Sequence, residues 1–310
     1  MDYLKLISCR YQSKLFVNEP IESEGSLPMK ILHNTQYNTE KPYISIVMPV
    51  HNQESIIVNN ISSIFRHTTE TMYELILIVD SCSDNTEQEI TKILSSPIIP
   101  SLVTNILVIQ STTPLFETSC DNIGFLCSRG KYILEIQADM EMTEEGYNMK
   151  LLRPFKSFNN LVGVSGRCCH GLTYNDGVGK LGGLVEKPLS NTIDRNTFYI
   201  SETCNRGPLM LDTKKVRELG YLDEKNYFLD NSDHDFFVRA YAQKHWICGY
   251  MPIEFHAPLS NGTTRKPRDP LNERFYTNKR NTCREHGFLQ TYLQSRPSPR
   301  HIQAFPMQEL

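Results

Sequence analysis

Short unbroken apolar runs alternate with stretches of three-to-four-residue apolar spacing through the first half of the chain. Ile44-Ser45-Ile46-Val47-Met48-Pro49-Val50 and Leu75-Ile76-Leu77-Ile78-Val79 are runs of strand length, rich in β-branched residues, and predict strands buried on both faces. Ile106 to Ile109 predicts a third. Between the first two, Gln53 to Arg66 sets Ile56, Ile57, Ile61, Ile64 and Phe65 at helical spacing. Asp84 to Leu94 predicts a second helix with Asp84 near its start, and Ser119 to Ser128 a third. After Gly130, which suits the left-handed conformation that stops a helix, Lys131 to Glu141 reads as a further β-rich segment running out into carboxylates.

This alternation predicts an α/β fold, a mostly parallel Rossmann-like sheet flanked by helices with right-handed crossovers. Ligands of such open sheets bind beyond the carboxyl ends of the strands. Three strands end in Asn52, Asp80 and Asp139, so one edge of the sheet gathers polar groups. The second half is less regular. Leu161 to Val164, Gly207 to Leu211 and Trp246 to Met251 predict strands; Thr213 to Leu219 and Ser232 to Lys244 predict helices. The expected layout is an appended arm over residues 1–42, a catalytic domain over 43–260, a lid and helical extension over 261–294, and a disordered tail over 295–310.

At 310 residues and 39% hydrophobic composition the chain can bury a large core. A net charge of -3 gives no electrostatic case for nucleic acid. No apolar run reaches the roughly 18 to 20 residues of a membrane span, and the first residues show no signal-peptide pattern. Nine cysteines, an odd number without a C-x-x-C pair, fit reduced thiols in a cytoplasmic protein better than a zinc site.

Asp139 stands where the fourth strand runs out of apolar residues, with Gln137 and Glu141 two positions to either side. Oxygen ligands at alternate positions suit Mg2+ or Mn2+ over a phosphorylated ligand; the same pattern is also how a strand simply becomes polar at its end.

Several short motifs, taken in order, carry a resemblance. They are Ile46 to Glu54 (I-V-M-P-V-H-N-Q-E), Val79 to Thr86 (V-D-S-C-S-D-N-T), Asn122-Ile123-Gly124, Gly130-Lys131-Tyr132-Ile133, Gln137-Ala138-Asp139, and Asp233-His234-Asp235 with Arg239. Their order and spacing over roughly residues 44 to 256 resemble the family 2 glycosyltransferases, enzymes of the GT-A fold. Two departures stand out. The first acidic residue of the family's D-x-D is Gln137, and the Q-x-x-R-W of processive members is absent, which argues against a polymer-extruding synthase.

The resemblance implies site residues. Pro49, Val50, Asn52 and Glu54 would seat the nucleotide base, although Asn52 equally suits the N-cap of the next helix. Asp80 would accept the ring N–H of uracil or guanine, while Asp84 caps a helix. Asn122 and Ala138 would border the donor, and Gly124 suits close helix packing. Asp139 would hold Mn2+ or Mg2+, with His256 as second ligand or as an ordinary core histidine. Asp233 would be the base, with Asp230 nearby as a substitute; Ser232 and Asp235 also form a capping box on paper. Glu202 to Pro208 would form the acceptor side. Gly262 to Lys266, including Arg265, would be a cationic lid over the diphosphate or a solvated basic loop.

The implied activity is inverting, metal-dependent sugar transfer from a UDP-sugar, or next a GDP-sugar, to a glycan, glycolipid or protein hydroxyl. A nucleotidyltransferase would want a Gly-rich basic loop where His51-Asn52-Gln53-Glu54 stands. A binding module with a lost ligand at Gln137 is the rival from another class.

Overall fold

The apolar runs read as continuous because each strand feeds two cores at once. Every residue of Tyr73–Asp80 is buried, yet Leu75, Leu77 and Val79 pack into one hydrophobic cluster and Ile76 and Ile78 into the other. Successive side chains of a strand point to opposite faces, so a sheet covered on both sides needs apolar residues at every position.

The structure is a computed structural model that describes residues 2–12, 29–96, 99–172, 180–183, 193–263, 268–283, 287–295 and 300–307. Its strands are β1 (Met29–Gln36), β2 (Ile44–Val50), β3 (Tyr73–Asp80), β4 (Val103–Ser111), β5 (Tyr132–Glu135), β6 (Glu141–Met142), β7 (Leu161–Ser165), β8 (Cys168–His170), β9 (Lys180–Gly182), β10 (Thr197–Ser201), β11 (Thr203–Cys204), β12 (Leu209–Asp212), β13 (Ile247–Tyr250), β14 (Phe255–His256) and β15 (Gln303–Pro306). Its helices are α1 (Tyr3–Gln12), α2 (Ile57–His67), α3 (Thr86–Leu94), α4 (Phe116–Cys127), α5 (Tyr147–Ser157), α6 (Thr213–Leu219), α7 (Ser232–Lys244), α8 (Pro270–Thr282) and α9 (Phe288–Ser295).

The central sheet has the order β1-β4-β3-β2-β5-β12-β7-β13-β10-β15. Its half from β4 through β3 and β2 to β5 is parallel, as the strand–helix alternation requires. Strand β12 inserts antiparallel between β5 and β7, and β7 pairs parallel with β13. Helices α2, α3 and α5 cover one face through Ile61, Ile64, Ile90 and Leu151. Helices α1, α4, α6 and α7 cover the other through Ile7, Ile123, Val216 and Phe237. Gly124 lets α4 lie against β2: a Cβ there would stand 2.2 Å from Cγ1 of buried Val47.

Three expectations change. The described parts of the expected arm over 1–42 belong to the domain: α1 buries Tyr3 and Ile7 in the second core, and β1 pairs antiparallel with β4. Within 295–310, expected as a disordered tail, Gln303–Pro306 form a strand that pairs with β10, and Phe305 stacks edge-on against Phe158 at 5.3 Å. Four residues have no stability as an isolated strand; the partner edge, remote in sequence, supplies it. The segment after Gly130 is a shorter strand than expected. It ends at Glu135, whose carboxylate accepts the Gly207 N–H at 2.6 Å, and Met140 N bonds back to Gln137 O at 3.1 Å, so Asp139 sits in a turn.

Candidate active site

Beyond the carboxyl ends of β2, β3 and β5 lies a cleft of about 540 Å3. Its wall includes Pro49 and Val50 from β2, Asp80 from β3, Ala138 and Asp139 from the turn after β5, and Asp233 from the first turn of α7. Three carboxylates from three separate elements therefore share one cavity.

Each is held by a different local device. Asp80 accepts backbone N–H groups from Leu115 at 2.8 Å and Phe116 at 2.9 Å, which ties the loop ahead of α4 to the end of β3. Burial raises the Asp80 pKa, opposed by those N–H groups and by His51. The turn bearing Asp139 is pinned from α2, where buried Asn60 donates to the Ala138 carbonyl at 2.7 Å. Asp233 follows Asn231, a left-handed residue at φ 64, and accepts from the backbone N–H of Arg206 at 3.1 Å and of His234 at 2.8 Å. Burial alone would raise its pKa. The charges of His234 and Arg206 and the two N–H groups outweigh burial and leave the carboxyl below its ordinary value. It is ionised at neutral pH, as a base must be.

Beneath Asp233 sits a buried ion cluster. The Arg206 guanidinium lies 2.9 Å from Asp121 and 3.4 Å from Glu117, and donates to the Leu229 carbonyl. Glu117, Asp121 and Glu135 bring carboxylate oxygens within 4.8 Å of one another, the spacing of a cation site. Arg206 is the cation there, so the group reads as an ion-paired base to the cleft. With more acids than cations, Asp121 is pushed up to about 7 by burial, and Glu135 well above its ordinary value by burial and then by Asp121 and Glu117.

Not every expected residue joins the cleft. Asn52 neither faces it nor caps α2, which starts at Ile57; its carboxamide oxygen accepts Ser83 N at 2.8 Å and ties two loops together. Glu54 accepts Asn85 N at 2.9 Å and Asp84 accepts Thr86 N at 3.0 Å, so both serve the start of α3. Asn122 is fully buried, bonded to Leu222 N and O at 3.0 Å each and to Glu224, and braces a loop instead of touching a ligand. His256 is exposed on β14 opposite Glu141, and the following Ala257 and Pro258 form the cleft wall instead. Strand alternation turns the histidine out. Arg265 lies outside the described residues; Gly262 and Thr263 before it line the cleft. Asp230 also lines it. The capping box is absent: Asp235 accepts Arg239 Nε at 2.7 Å and Leu289 N at 3.0 Å, anchoring α9 on α7.

Arg167, Phe116 and Tyr276, absent from the expected set, complete the wall together with Arg206 from the expected acceptor stretch Glu202 to Pro208; Phe228 packs on both aromatics, 5.2 Å from Phe116 and 5.6 Å from Tyr276. Arg167 follows the end of β7, where the strand-end rule points; the aromatics come from three remote loops and helices, and no local pattern joins them.

A divalent cation finds a plausible oxygen set only in part. Asp139 lines the cleft, whereas the Gln137 amide is spent between Glu117 and Arg167. One protein carboxylate plus diphosphate oxygens and water is a common Mg2+-type arrangement.

The model of Glycosyl transferase family 2 matches residues 45–219, more than half of the chain. No curated protein matches by sequence. Among solved structures, GalNAc-T7 with UDP, GalNAc and Mn2+ is similar in fold at a TM-score of 0.52 and 13% identity, over 70% of this chain and 43% of that one. S. aureus TarS 1-349 superposes at 0.47 and 16% identity, over 69% of this chain and 60% of that one; its complex with UDP-GlcNAc gives 0.48 and 16%, over 76% and 63%. The chain thus spans less than two thirds of each of these structures. No helix among the described residues is long and apolar enough to cross a membrane.

Proposed function

The chain belongs to glycosyl transferase family 2, and from that premise we propose that it moves a sugar from a nucleotide-diphosphate donor to an acceptor hydroxyl with inversion, in a metal-dependent reaction. The observation that carries this reading is the shared cleft of Asp80, Asp139 and Asp233. Asp80 and the Pro49-Val50 backbone border the base end. UDP is the favoured donor nucleotide and GDP the next, because a carboxylate acceptor suits a base with a ring N–H. The UDP and Mn2+ bound by GalNAc-T7 support UDP and Mn2+ here.

Asp233 takes the proton from the acceptor hydroxyl while that oxygen attacks the anomeric carbon. The bond from that carbon to the diphosphate oxygen breaks as the new one forms, so the anomeric centre inverts in one displacement without a covalent intermediate. Asp139 would hold the divalent cation, Mn2+ or Mg2+, which supplies neutralisation of charge on the departing diphosphate. Arg206 keeps the base ionised from below, through its charge and its backbone N–H.

A binding module without turnover is the second reading, favoured by the Gln137 amide being committed to Glu117 and Arg167. One experiment separates the two: nucleotide release across UDP- and GDP-sugars, with calorimetry of UDP and GDP with and without Mn2+. Asp233→Asn should lower transfer by about 10²- to 10⁴-fold and leave nucleotide affinity nearly unchanged. Transfer at the parent rate by Asp233→Asn would remove the base assignment. Metal-enhanced nucleotide binding with no release from any donor would favour the binding module.

A further inference from the structure

Three described arginines line the cleft, and two have their charge met inside the protein. Arg206 pairs with Asp121 and Glu117. Arg268 lies 3.8 Å from Glu273 and stacks 3.7 Å from the centre of the Tyr276 ring. Arg167 has no carboxylate partner among the described residues. The hydrogen bond of its guanidinium runs from Nη1 to the Gln137 carboxamide oxygen at 3.4 Å.

That arrangement is built, not a loose side chain at a rim. The backbone around Arg167 is fixed: Gly166 N donates to Pro208 O at 2.7 Å and Arg167 N to Ser165 Oγ at 3.0 Å. Position 137 is where the family resemblance places an aspartate, which would supply the missing counter-charge. Gln137 supplies none, and its amide nitrogen is given to Glu117. Lys180, exposed on β9 and registered opposite His170 on β8, adds a second cation at this end. Burial drives the neighbouring Cys168 thiol up to about 11, and the charges of Lys180 and Arg167 both act against that rise. The nearby acids do not absorb Arg167, since Glu117 and Asp121 are paired with Arg206.

The location narrows what the cation can meet. Gln137 is two residues before Asp139, and Arg167 lines the same cleft as Asp139, Asn205, Asp233 and His234, so the guanidinium shares that space with the proposed leaving-group and base residues. A planar fork of N–H donors matches a carboxylate or phosphate in a way a sugar hydroxyl does not. We infer that Arg167, facing Gln137 in place of an acidic residue, recognises an anionic group, carboxylate or phosphate, on one of the two sugar substrates. This rests on the transferase reading and specifies its substrate class.

The test is a binding comparison that needs no turnover. In the donor arm, UDP, UDP-glucose and UDP-glucuronate are titrated into the full chain with Mn2+. In the acceptor arm, glucose, glucuronate and glucose 6-phosphate are titrated into the UDP-loaded protein. The expected result is a preference of about tenfold or more for the anionic ligand in one arm, the size of one charge-assisted contact; the arm that shows it identifies the substrate carrying the charge. Arg167→Gln and, independently, Gln137→Asp, which supplies an internal counter-ion, should each reduce that preference to near unity. Affinity of Arg167→Gln for plain UDP should stay within about twofold, which also shows that this variant is folded. Two results overturn the inference: no preference for the anionic ligand in either arm, or a loss of plain UDP affinity in Arg167→Gln as large as the loss for the anionic ligand, which would assign the guanidinium to the diphosphate. If the unaltered chain binds no nucleotide and releases none from any donor, the transferase reading itself falls. Retained UDP binding without anion preference removes only the present inference.

Discussion

Replacing Arg206 by Met tests whether the floor of the cleft is held by charge. The methionine keeps most of the length and apolar stem but removes the guanidinium that meets Asp121 at 2.9 Å, Glu117 at 3.4 Å and the Leu229 carbonyl. Asp121 has no side-chain exposure and Arg206 only 7%, so water cannot replace the lost partner. Breaking a buried pair from one side costs about 3 to 5 kcal/mol, because the remaining charge is left uncompensated. Asp121 already titrates near 7, so uptake of a proton relieves part of this, and the lower end of the range is expected. Against a typical total stability of about 5 to 15 kcal/mol, that is a large fraction. In urea, with a slope of roughly 2 to 3 kcal/mol/M, the midpoint should fall by about 1 to 2 M. The informative partner is Arg206→Met with Asp121→Leu. Removing both charges leaves no stranded ion, and most of the lost stability should return. A single variant within about 0.5 kcal/mol of the parent, or a double variant no better than the single one, would refute the claim that ion pairing holds this floor together.

Two further outcomes follow from the same buried groups and from helix packing. Burial raises Asp121 to about 7, so the native state keeps a proton that the unfolded chain releases near the ordinary value of 3.8. The stability this lends at acid pH is lost as pH rises between those values; the stability of Asp121→Asn relative to the parent should therefore increase from pH 4 to pH 7, and a flat difference in thermal melts would contradict it. Gly124→Ala should destabilise by about 1 to 3 kcal/mol despite alanine's better helix propensity, because the new Cβ meets Val47 Cγ1 at 2.2 Å. Adding Val47→Ala should recover part of the loss in the same denaturation assay, and a neutral Gly124→Ala would show that α4 can shift.

What could be read from the chain depended on how far apart the cooperating residues lie. The strand Ile44–Val50 and the helices Thr213–Leu219 and Ser232–Lys244 emerge from local patterning at their observed bounds, since burial on one or both faces is written in the spacing itself. Asp80 and Asp139 line the cleft where the strand-end rule points, and Pro49, Val50, Ala138 and Asp233, which the family resemblance singled out, line it with them. Asn52, Glu54 and Asn122 have the same polar character but spend it on Ser83, Asn85 and Leu222, partners 31, 31 and 100 positions away. Nothing local distinguishes a polar residue that braces a loop from one that meets a ligand. Edge strands β1 and β15 were obscure for a related reason: their order comes from β4 and β10, not from their own composition.

Arg167 and Gln137 carry this point furthest. Each is unremarkable in its own segment, a cation after one strand and an amide after another, 30 positions apart. Only their meeting at 3.4 Å shows that an amide at position 137, where the resemblance places an acid, leaves Arg167 without a carboxylate partner among the described residues. A missing metal ligand, read one-dimensionally, suggests decay of function. Read against its neighbour, the same substitution changes which charge the cleft can accept, while Asp139 and Asp233 keep their places in its wall. Decay and altered specificity differ in what they ask of Arg167: under decay nothing maintains a buried-side cation without a partner, and its replacement should leave every ligand affinity untouched, whereas altered specificity requires that the anionic substrate alone should weaken.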